Sequence, residues 1–565
     1  MSSSIPEQIA TINENVSKFN NSVSTIKAVA DNNKSLVEQI NDLLKKNEAN
    51  DMLNKPRVSA VTYACNDILN NTGFKIETIT GTTSDGAKYI MKVPSNYVGV
   101  VAVFSHGYRF PINVPATLYP GGYTVNNEPD YSVSFSDKNK DFEQLVLRRG
   151  VAMIGSGFVV QGWNTVSAVK TNIELINLFK SKYPKTARVI AWGPSLGSTI
   201  TQALNEAKPE LIDSYGLLGH IEKVATSVSY SGDFLWLFKM FFDNTVKGSG
   251  FTLSTSVREP EAWSDLAKLL TIIKAVSKDL TKWPEPLTPI GTILKSQGIP
   301  PLVVLILIGV LINCPLKSDH FDGVSTSSIV TDASANMALA LVENASRGVF
   351  LGVISQQDIE FQCGGVVYDN TKTDYSQRLT NRNLFNFLGT NRDTVLNAIL
   401  GLLATAPRVT ANAEARKKII DPSVPGSLAI VSNKINKNTL VLTGVNDPVT
   451  PVGCTRDLYF DNKKDPNGTG KLQVLISNSP KTWTQFDNLG IPNTFAPPAP
   501  GTNHVNFSID EWIGFGTLLM NMAITGSHLT DYKLTNLLDA IPSLSLGTDE
   551  VMTNLPSMFY DVENP

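Results

Sequence analysis

The chain has 565 residues, of which 42% are hydrophobic and 18% are charged. A chain of this length and apolar content can bury a large core, so wholesale disorder and a small disulfide-stapled fold are excluded. The 48 basic and 51 acidic residues give a net charge of −3, which provides no basic field for binding nucleic acid or anionic lipid.

The amino-terminal segment is polar over residues 1–15 and lacks the charged head and apolar stretch of a secretory signal. We therefore expect a cytoplasmic protein. The four cysteines, Cys65, Cys314, Cys363 and Cys454, lie far apart and form no CxxC pair. This spacing disfavours a zinc site or a dithiol redox site and predicts buried thiols, and we expect no metal or organic cofactor.

Residues 5–44 carry an apolar seam at alternating spacings of four and three. Its members are Ile5, Ile9, Ile12, Val16, Phe19, Val23, Ile26, Ala30, Asn33, Val37, Ile40 and Leu44. The heptad pattern predicts a coiled coil within residues 1–57 that forms a homo-oligomer, with Asn33 fixing the register. Trimers and tetramers are as plausible as dimers. The alternative is a helix that folds back on its own domain.

From about residue 58, short apolar runs alternate with amphipathic helices, which is the pattern of an α/β sheet. The predicted strands are residues 75–80, 89–93, 99–105, 151–155, 188–192, 214–219, 439–444 and 472–477. The predicted helices between and after them are residues 137–149, 165–180, 195–206 and 509–524. Most of the strands are continuous apolar runs, so we expect helices to cover both faces of the sheet.

About 220 residues separate the sixth and seventh predicted strands, and they are helical and apolar in character. We expect a cap insertion over residues 223–430 that covers the carboxyl edge of the sheet. The core is then divided into residues 58–222 and 431–565. The longest apolar run, residues 302–312, is well short of the ~20 residues that span a bilayer, so it predicts a buried helix and no integral membrane span.

The pentapeptide Gly193-Pro194-Ser195-Leu196-Gly197 lies between a predicted strand and a predicted helix. In such a turn the central residue takes a strained conformation that lifts its hydroxyl above the sheet. The flanking glycines are needed because a side chain there would collide with the neighbouring strand and helix. Ser195 is therefore the predicted nucleophile.

A serine nucleophile needs a base, and in enzymes built around this turn the partners follow in the order serine, acid, histidine. Only His504 and His528 of the five histidines lie far enough along the chain. We predict His504, because it lies in a loop that runs into the helix at residues 509–524. His528 follows that helix at its far end, where a residue that contacts the last carbonyls is expected.

The predicted acid is Asp447, which lies in a turn directly after the strand at residues 439–444. A carboxylate at this place can accept the imidazole N–H and stabilise the imidazolium. The alternative for Asp447 is a turn residue before Pro448. Asp421 is a poorer candidate because no strand precedes it.

The oxyanion formed by attack of Ser195 needs backbone donors that already face it. One predicted donor is the amide of Leu196, and the other is the amide of Tyr108, because Gly107 lets the chain turn sharply after the third strand. His106 is then expected to be a structural loop residue. Trp163, after the fourth strand, is predicted either to line the substrate pocket or to belong to the core.

Five segments together resemble the α/β-hydrolase superfamily, and within it the large capped serine esterase-like proteins common in bacteria. They are SHGY, GWNTVSAVKTNIELINLF, IAWGPSLGS, VVYDNTKTDYSQRL and VLTGVNDPVTPV. The resemblance covers roughly residues 60–530. It implies a mostly parallel sheet flanked by helices, a large and mainly helical cap, and the same triad and oxyanion donors. Pro194 departs from the pattern, since many relatives carry a polar residue such as His there.

The sequence thus predicts a serine-triad hydrolase of the carboxylesterase type that cleaves a small-molecule ester through an acyl-enzyme. The aromatic segment at residues 234–242 of the insertion favours either a lipophilic acyl or aromatic pocket or ordinary packing between helices. An acyltransferase or a peptidase would use the same triad. A non-catalytic scaffold that binds an apolar ligand is the remaining alternative.

Overall fold

The computed structural model describes residues 74–125, 131–134, 140–221, 223–323, 332–463, 471–479, 499–528 and 531–558. The coiled coil predicted in residues 1–57 lies outside these ranges, as does Cys65, and both expectations stay predictions.

Within these ranges, nine strands form one sheet in the spatial order β1-β2-β4-β3-β5-β6-β7-β8-β9. They are β1 (Ile76–Thr82), β2 (Lys88–Pro94), β3 (Val100–Phe104), β4 (Val151–Ser156), β5 (Arg188–Pro194), β6 (Ser214–Leu218), β7 (Asn438–Gly444), β8 (Leu472–Ser477) and β9 (Leu544–Leu546). The six strands from β3 to β8 are parallel, whereas β1, β2 and β9 run antiparallel to their neighbours. This topology is that of the α/β-hydrolase fold, which confirms the predicted fold class. All eight predicted strands are present.

The helices are α1 (Lys140–Arg148), α2 (Thr165–Lys182), α3 (Leu196–Ala207), α4 (Val224–Phe241), α5 (Thr255–Lys278), α6 (Pro289–Ser296), α7 (Pro301–Ile312), α8 (Ala333–Cys363), α9 (Arg392–Thr405), α10 (Ala413–Ile420), α11 (Val452–Lys463), α12 (Ile509–Thr525), α13 (Asp531–Ala540) and α14 (Asp549–Thr553). The four predicted helices correspond to α1, α2, α3 and α12.

Every residue of β3, β4 and β6 is buried, because helices cover both faces of the sheet. Along β3, Val101 and Val103 contribute to the apolar cluster that includes α2 and α3. Val100 and Ala102 contribute to the cluster that includes α1 and α12. Alternate side chains of a strand point to opposite faces, so a continuous apolar run is what two covered faces require.

Between β6 and β7 the described residues contain no strand, and this insertion carries the helices α4 to α10. All 12 residues of α7 are buried, as the apolar run at residues 302–312 predicts. The insertion shares its hydrophobic cluster with α2 and α3, so it packs on the sheet side that carries those helices. The division of the chain at residues 223 and 430 stays a prediction.

Within the described ranges, α8 is the one helix that is long and apolar enough to cross a membrane. Its most apolar window is 56% buried inside the protein, and α8 packs against α4, α5 and α7. Core helices of this kind pass the same test of length and composition.

Candidate active site

Ser195 lies at the turn between β5 and α3, with backbone angles φ 54° and ψ −130°. A residue other than glycine rarely adopts this conformation, which costs on the order of 1–3 kcal/mol and persists only where the surroundings enforce it. The Ser195 amide donates to the carbonyl of Leu218 on β6 at 2.8 Å, and its carbonyl accepts from the Ser198 amide at 2.8 Å. These contacts fix the turn, and the side chain lies at the carboxyl end of the sheet.

The glycines on either side of this turn are required by the close approach of backbone atoms. A Cβ atom at Gly193 would lie 2.4 Å from the Ser105 carbonyl oxygen, and one at Gly197 would lie 2.1 Å from the same atom. A side chain at either glycine would therefore collide with its surroundings, as the pentapeptide predicts. The collision comes from the loop after β3 and, at Gly193, also from the backbone of α3.

The loop after β3 lies directly against Ser195. A Cβ atom at Gly107 would lie 3.3 Å from the Ser195 Cβ. Within the part of the chain that the structure describes, neither the Tyr108 amide nor the Leu196 amide donates a hydrogen bond to another residue. Tyr108 and Leu196 line the same pocket as Ser195.

Asp447 and His504 form a hydrogen-bonded pair at the carboxyl end of β7. The distances from the His504 Nδ1 to the two Asp447 oxygens are 2.9 Å and 3.1 Å. Asp447 is fully buried and also accepts from the Thr450 hydroxyl at 2.8 Å and from the Val449 and Thr450 amides. Burial by itself would raise its pKa, but the His504 charge and these hydrogen bonds outweigh burial, so the pKa of Asp447 lies below its ordinary value.

An ionised carboxylate can only accept hydrogen bonds, so the Nδ1 atom of His504 carries the hydrogen in this pair. The Nε2 atom of the neutral imidazole is then left with its lone pair, which is the form that a general base needs. Among the described residues no hydrogen bond joins Ser195 Oγ to this imidazole. Such bonds are often long in the absence of substrate and tighten when it binds.

The end of β6 lies between Ser195 and the Asp447–His504 pair and is close to both. Leu218 accepts the Ser195 amide, and a Cβ atom on the next residue, Gly219, would lie 3.5 Å from Asp447 Oδ2. Pro448 and Val449, which follow Asp447, line the same pocket as Ser195. The three residues that the sequence singles out therefore lie at neighbouring loops of one sheet edge.

The remaining histidines lie elsewhere or are held by other groups. His106 contacts the carbonyls of Gly107 and Gly157, and burial together with the Arg109 charge lowers its pKa to about 4. Burial lowers the pKa of His220 to about 3. His320 pairs with Glu343, and His528 follows α12 as the sequence indicates.

A mainly apolar pocket opens at Ser195, with about 700 Å³ of space that no atom fills, part of it open to solvent. Core residues Ser195 and Trp163 form one side, and the insertion contributes Phe234 from α4 and Leu351 from α8. Trp163 is 2% exposed, so it belongs to the core and also lines the pocket. Of the aromatic segment at residues 234–242, Phe234 faces the pocket while its neighbours pack between helices.

One residue that the sequence did not single out joins the insertion to two of these loops. Asp358 on α8 accepts from the Tyr108 hydroxyl at 3.1 Å and from the Trp163 amide at 2.7 Å. It is 3% exposed, and burial raises its pKa. The surrounding sequence VISQQDIEF has five polar residues among nine, so no local pattern sets Asp358 apart from its neighbours.

Among the described residues no group of three or more His, Cys, Asp or Glu side chains is placed to hold a metal ion. Cys314, Cys363 and Cys454 are buried thiols, as predicted. Cys314 lines the pocket beside Tyr230, and burial raises the pKa of this thiol to about 12, so it is protonated near neutral pH.

The sequence matches no family model and no curated protein. Similar solved structures include feruloyl esterase B from Aspergillus oryzae, at 12% identity over 71% of this chain and 72% of that chain, with a TM-score of 0.33. A mutant epoxide hydrolase from Vigna radiata has 12% identity over 80% of this chain and 99% of that chain, with a TM-score of 0.33. The cell-wall-degrading esterase LipA from Xanthomonas oryzae has 10% identity over 72% and 82%, with a TM-score of 0.28. These proteins are hydrolases by name, and their likeness assigns no substrate to this chain.

Proposed function

We propose that the protein is a serine hydrolase that cleaves a carboxylic ester through an acyl-enzyme. The observation that carries the proposal is the hydrogen-bonded pair of buried Asp447 and half-buried His504 near Ser195. A strained turn presents the Ser195 hydroxyl to an apolar pocket. A buried carboxylate that orients a histidine next to a strained serine is the arrangement that activates a hydroxyl nucleophile.

In this mechanism the Ser195 Oγ attacks the ester carbonyl while His504 Nε2 takes the hydroxyl proton. Asp447 stabilises the imidazolium that forms, and the Tyr108 and Leu196 amides hold the oxyanion. Collapse of the tetrahedral species breaks the bond to the leaving alkoxide, which receives the proton from His504. A water molecule, deprotonated by His504, then releases the carboxylic acid and restores Ser195.

The pocket favours an ester with an apolar group. Phe234, Leu351 and Trp163 offer side-chain carbon rather than charge, so a lipophilic acyl chain or an aromatic ring gains free energy by leaving water there. No charged side chain lines the pocket among the described residues, so a substrate charged next to its carbonyl is disfavoured.

The test is covalent labelling with a fluorophosphonate, which reacts with activated serines. We expect the intact protein to be labelled on Ser195 and the Ser195→Ala variant to be unlabelled. The control is Ser346→Ala, since Ser346 is a half-buried serine on α8 whose hydroxyl bonds to its own helix at Glu343. Folded wild-type protein that takes up no label, or label that persists in Ser195→Ala, contradicts the proposal and favours a ligand-binding scaffold.

A further inference from the structure

The residues on both sides of His504 have left-handed backbone conformations. Asn503 has φ 59° and Val505 has φ 52°. Asparagine tolerates this region, but a β-branched residue such as valine rarely adopts it. The loop therefore does not take this shape by its own preference, and other groups must hold it there.

One of these groups belongs to the core. Asp447 Oδ2 accepts from the Val505 amide at 3.2 Å, in addition to its contact with the imidazole. The carboxylate that orients the His504 ring thus also fixes the residue that follows it.

The other group comes from the insertion. Asp319 lies in the segment after α7 and is 2% exposed. Its Oδ2 atom accepts from the Asn503 Nδ2 at 3.3 Å, and the Thr502 hydroxyl lies 3.2 Å from its Oδ1. The Thr502 hydroxyl also lies 2.5 Å from the Ala499 carbonyl oxygen, so its one proton is shared between two acceptors.

Asn503 transmits this contact to the histidine. While its Nδ2 donates to Asp319, its Oδ1 accepts from the His504 amide at 2.7 Å. A continuous chain of hydrogen bonds thus runs from a buried carboxylate of the insertion, through the Asn503 amide group, to the backbone of His504. Because both ends of the Asn503 side chain are bound, its left-handed conformation is fixed.

Asp319 is itself held by a second element. Arg347 on α8 lies 3.1 Å from Asp319 Oδ2, and Arg347 also lies 3.9 Å from Glu343, which pairs with His320. A buried carboxylate that lacked such partners would be strongly disfavoured. Asp319 is therefore held in place by Arg347 of the insertion, and from there it contacts the loop of the core.

We infer that Asp319 is a positioning residue for His504. By binding Thr502 and Asn503, it holds the His504 imidazole in the position from which it can accept the proton of the Ser195 hydroxyl. The insertion therefore completes the catalytic geometry as well as walling the pocket. This inference rests on the proposed function, since it assigns to Asp319 a role in the activity of Ser195.

The test compares Asp319→Asn with Asp265→Asn in the full chain. Asp265 on α5 is a matched control, because it is a buried carboxylate of the insertion that accepts two amides, those of Lys247 and Gly248. In Asp319→Asn the charge that Arg347 and the Asn503 Nδ2 contact is lost, and one of the two acceptor oxygens becomes an NH2 donor, so the hold on the loop is weakened. Misplacing a catalytic group by about 1 Å costs up to ~100-fold in rate.

We expect Asp319→Asn to lower kcat on a chromogenic ester by about 10- to 100-fold and to slow fluorophosphonate labelling by a similar factor, with KM within about twofold. We expect Asp265→Asn to keep kcat within about twofold of the wild-type value. Its thermal midpoint should fall at least as far below that of the wild type as the midpoint of Asp319→Asn does. Equal kcat values in the two variants overturn the inference.

A second variant, Asn503→Gly, keeps the left-handed conformation but removes the link to Asp319. We expect it to reproduce the loss of kcat, and we expect the double variant with Asp319→Asn to be no slower than either single variant. Additive losses contradict the transmission through Asn503. If Asp319→Asn does not fold, Asn503→Gly decides alone. A wild-type protein that is not labelled rejects the proposed function, whereas a labelled wild type with labelled, fully active variants rejects only the inference.

Discussion

Two buried aspartates near the pocket have pKa values shifted in opposite directions, and the difference lies in their partners. Asp447 and Asp358 are both buried, and burial raises the pKa of each. At Asp447 the His504 charge and several donors outweigh burial, whereas the donors at Asp358 are neutral and burial prevails. A carboxylate that must stay ionised beside an imidazole is therefore distinguished by its environment and not by its residue type.

The pair of His320 and Glu343 leads to a prediction for the pH dependence of stability. Burial lowers the pKa of His320, but the hydrogen bond to Glu343 and the charges of Glu343 and Asp319 outweigh burial and the opposing charge of Arg347, so its pKa is raised above 6.5. A raised pKa in the folded state means that the pair stabilises the fold while the histidine is protonated. This contribution is complete below the ordinary pKa and is lost as pH rises through the raised value.

We therefore expect His320→Gln to lower the free energy of unfolding more at about pH 5.5 than at about pH 9, measured by denaturant titration at both values. His528→Gln is the control of opposite sign, because burial lowers the pKa of His528. Its replacement should be better tolerated at the lower pH. A loss in His320→Gln that is equal at both values contradicts this assignment.

Among the secondary-structure elements, the packing of the β5–α3 turn against the loop after β3 determines where the Ser195 hydroxyl lies. Three backbone segments meet around Gly193 and Gly197, at distances that no Cβ atom tolerates. The packing of these segments stabilises the strained angles of Ser195, because relaxing the turn would push α3 into the Ser105 carbonyl.

We expect Gly197→Ala to lower the free energy of unfolding by about 3 kcal/mol, because the new Cβ would lie 2.1 Å from backbone oxygen that cannot move away. The matched control is Gly401→Ala in α9, where a Cβ would have no atom within 4 Å and the helix should gain about 1 kcal/mol. Thermal and denaturant unfolding measure both changes. A Gly197→Ala protein as stable as the wild type would contradict this account of the turn.

Across the whole molecule, one apolar cluster joins the sheet, α2 and α3 to the insertion. The pocket lies where the insertion meets these elements. Asp319 and Asp358 each form hydrogen bonds from the insertion to a loop of the core. We therefore regard the insertion as part of the site, because two loops that carry proposed catalytic groups depend on it for their shape.

Residues 5–44 give a prediction for assembly. Their heptad pattern favours a homo-oligomer, because an apolar seam of this length needs a partner surface to leave water. We expect deletion of residues 1–55 to lower the number of chains per particle, which is the mass from light scattering divided by the mass of one chain, and to leave the labelling of Ser195 intact. An unchanged number of chains favours a helix that packs on its own chain.

Local sequence patterns were sufficient to predict eight of the nine described strands and the candidates for nucleophile, acid and base. Most of the predicted strands are continuous apolar runs, and the Gly-rich pentapeptide and Asp447 come directly after such runs. His504 lies in the loop before the apolar helix at residues 509–524, so local patterns were sufficient to single out all three residues. The three-residue β9 was missed because a strand so short carries no periodic signal.

Which residues of the insertion contact the site could not be predicted from local patterns. Asp319 contacts Thr502 and Asn503 across 183 and 184 positions of the chain, and Asp358 contacts the Trp163 amide across 195 positions. No local pattern encodes contacts over such separations, because they depend on how the helices pack. The left-handed residues beside His504 were likewise unpredictable, because Val505 takes that conformation against its own preference. Local patterns record what each segment prefers, whereas a catalytic site is built where packing overrides that preference.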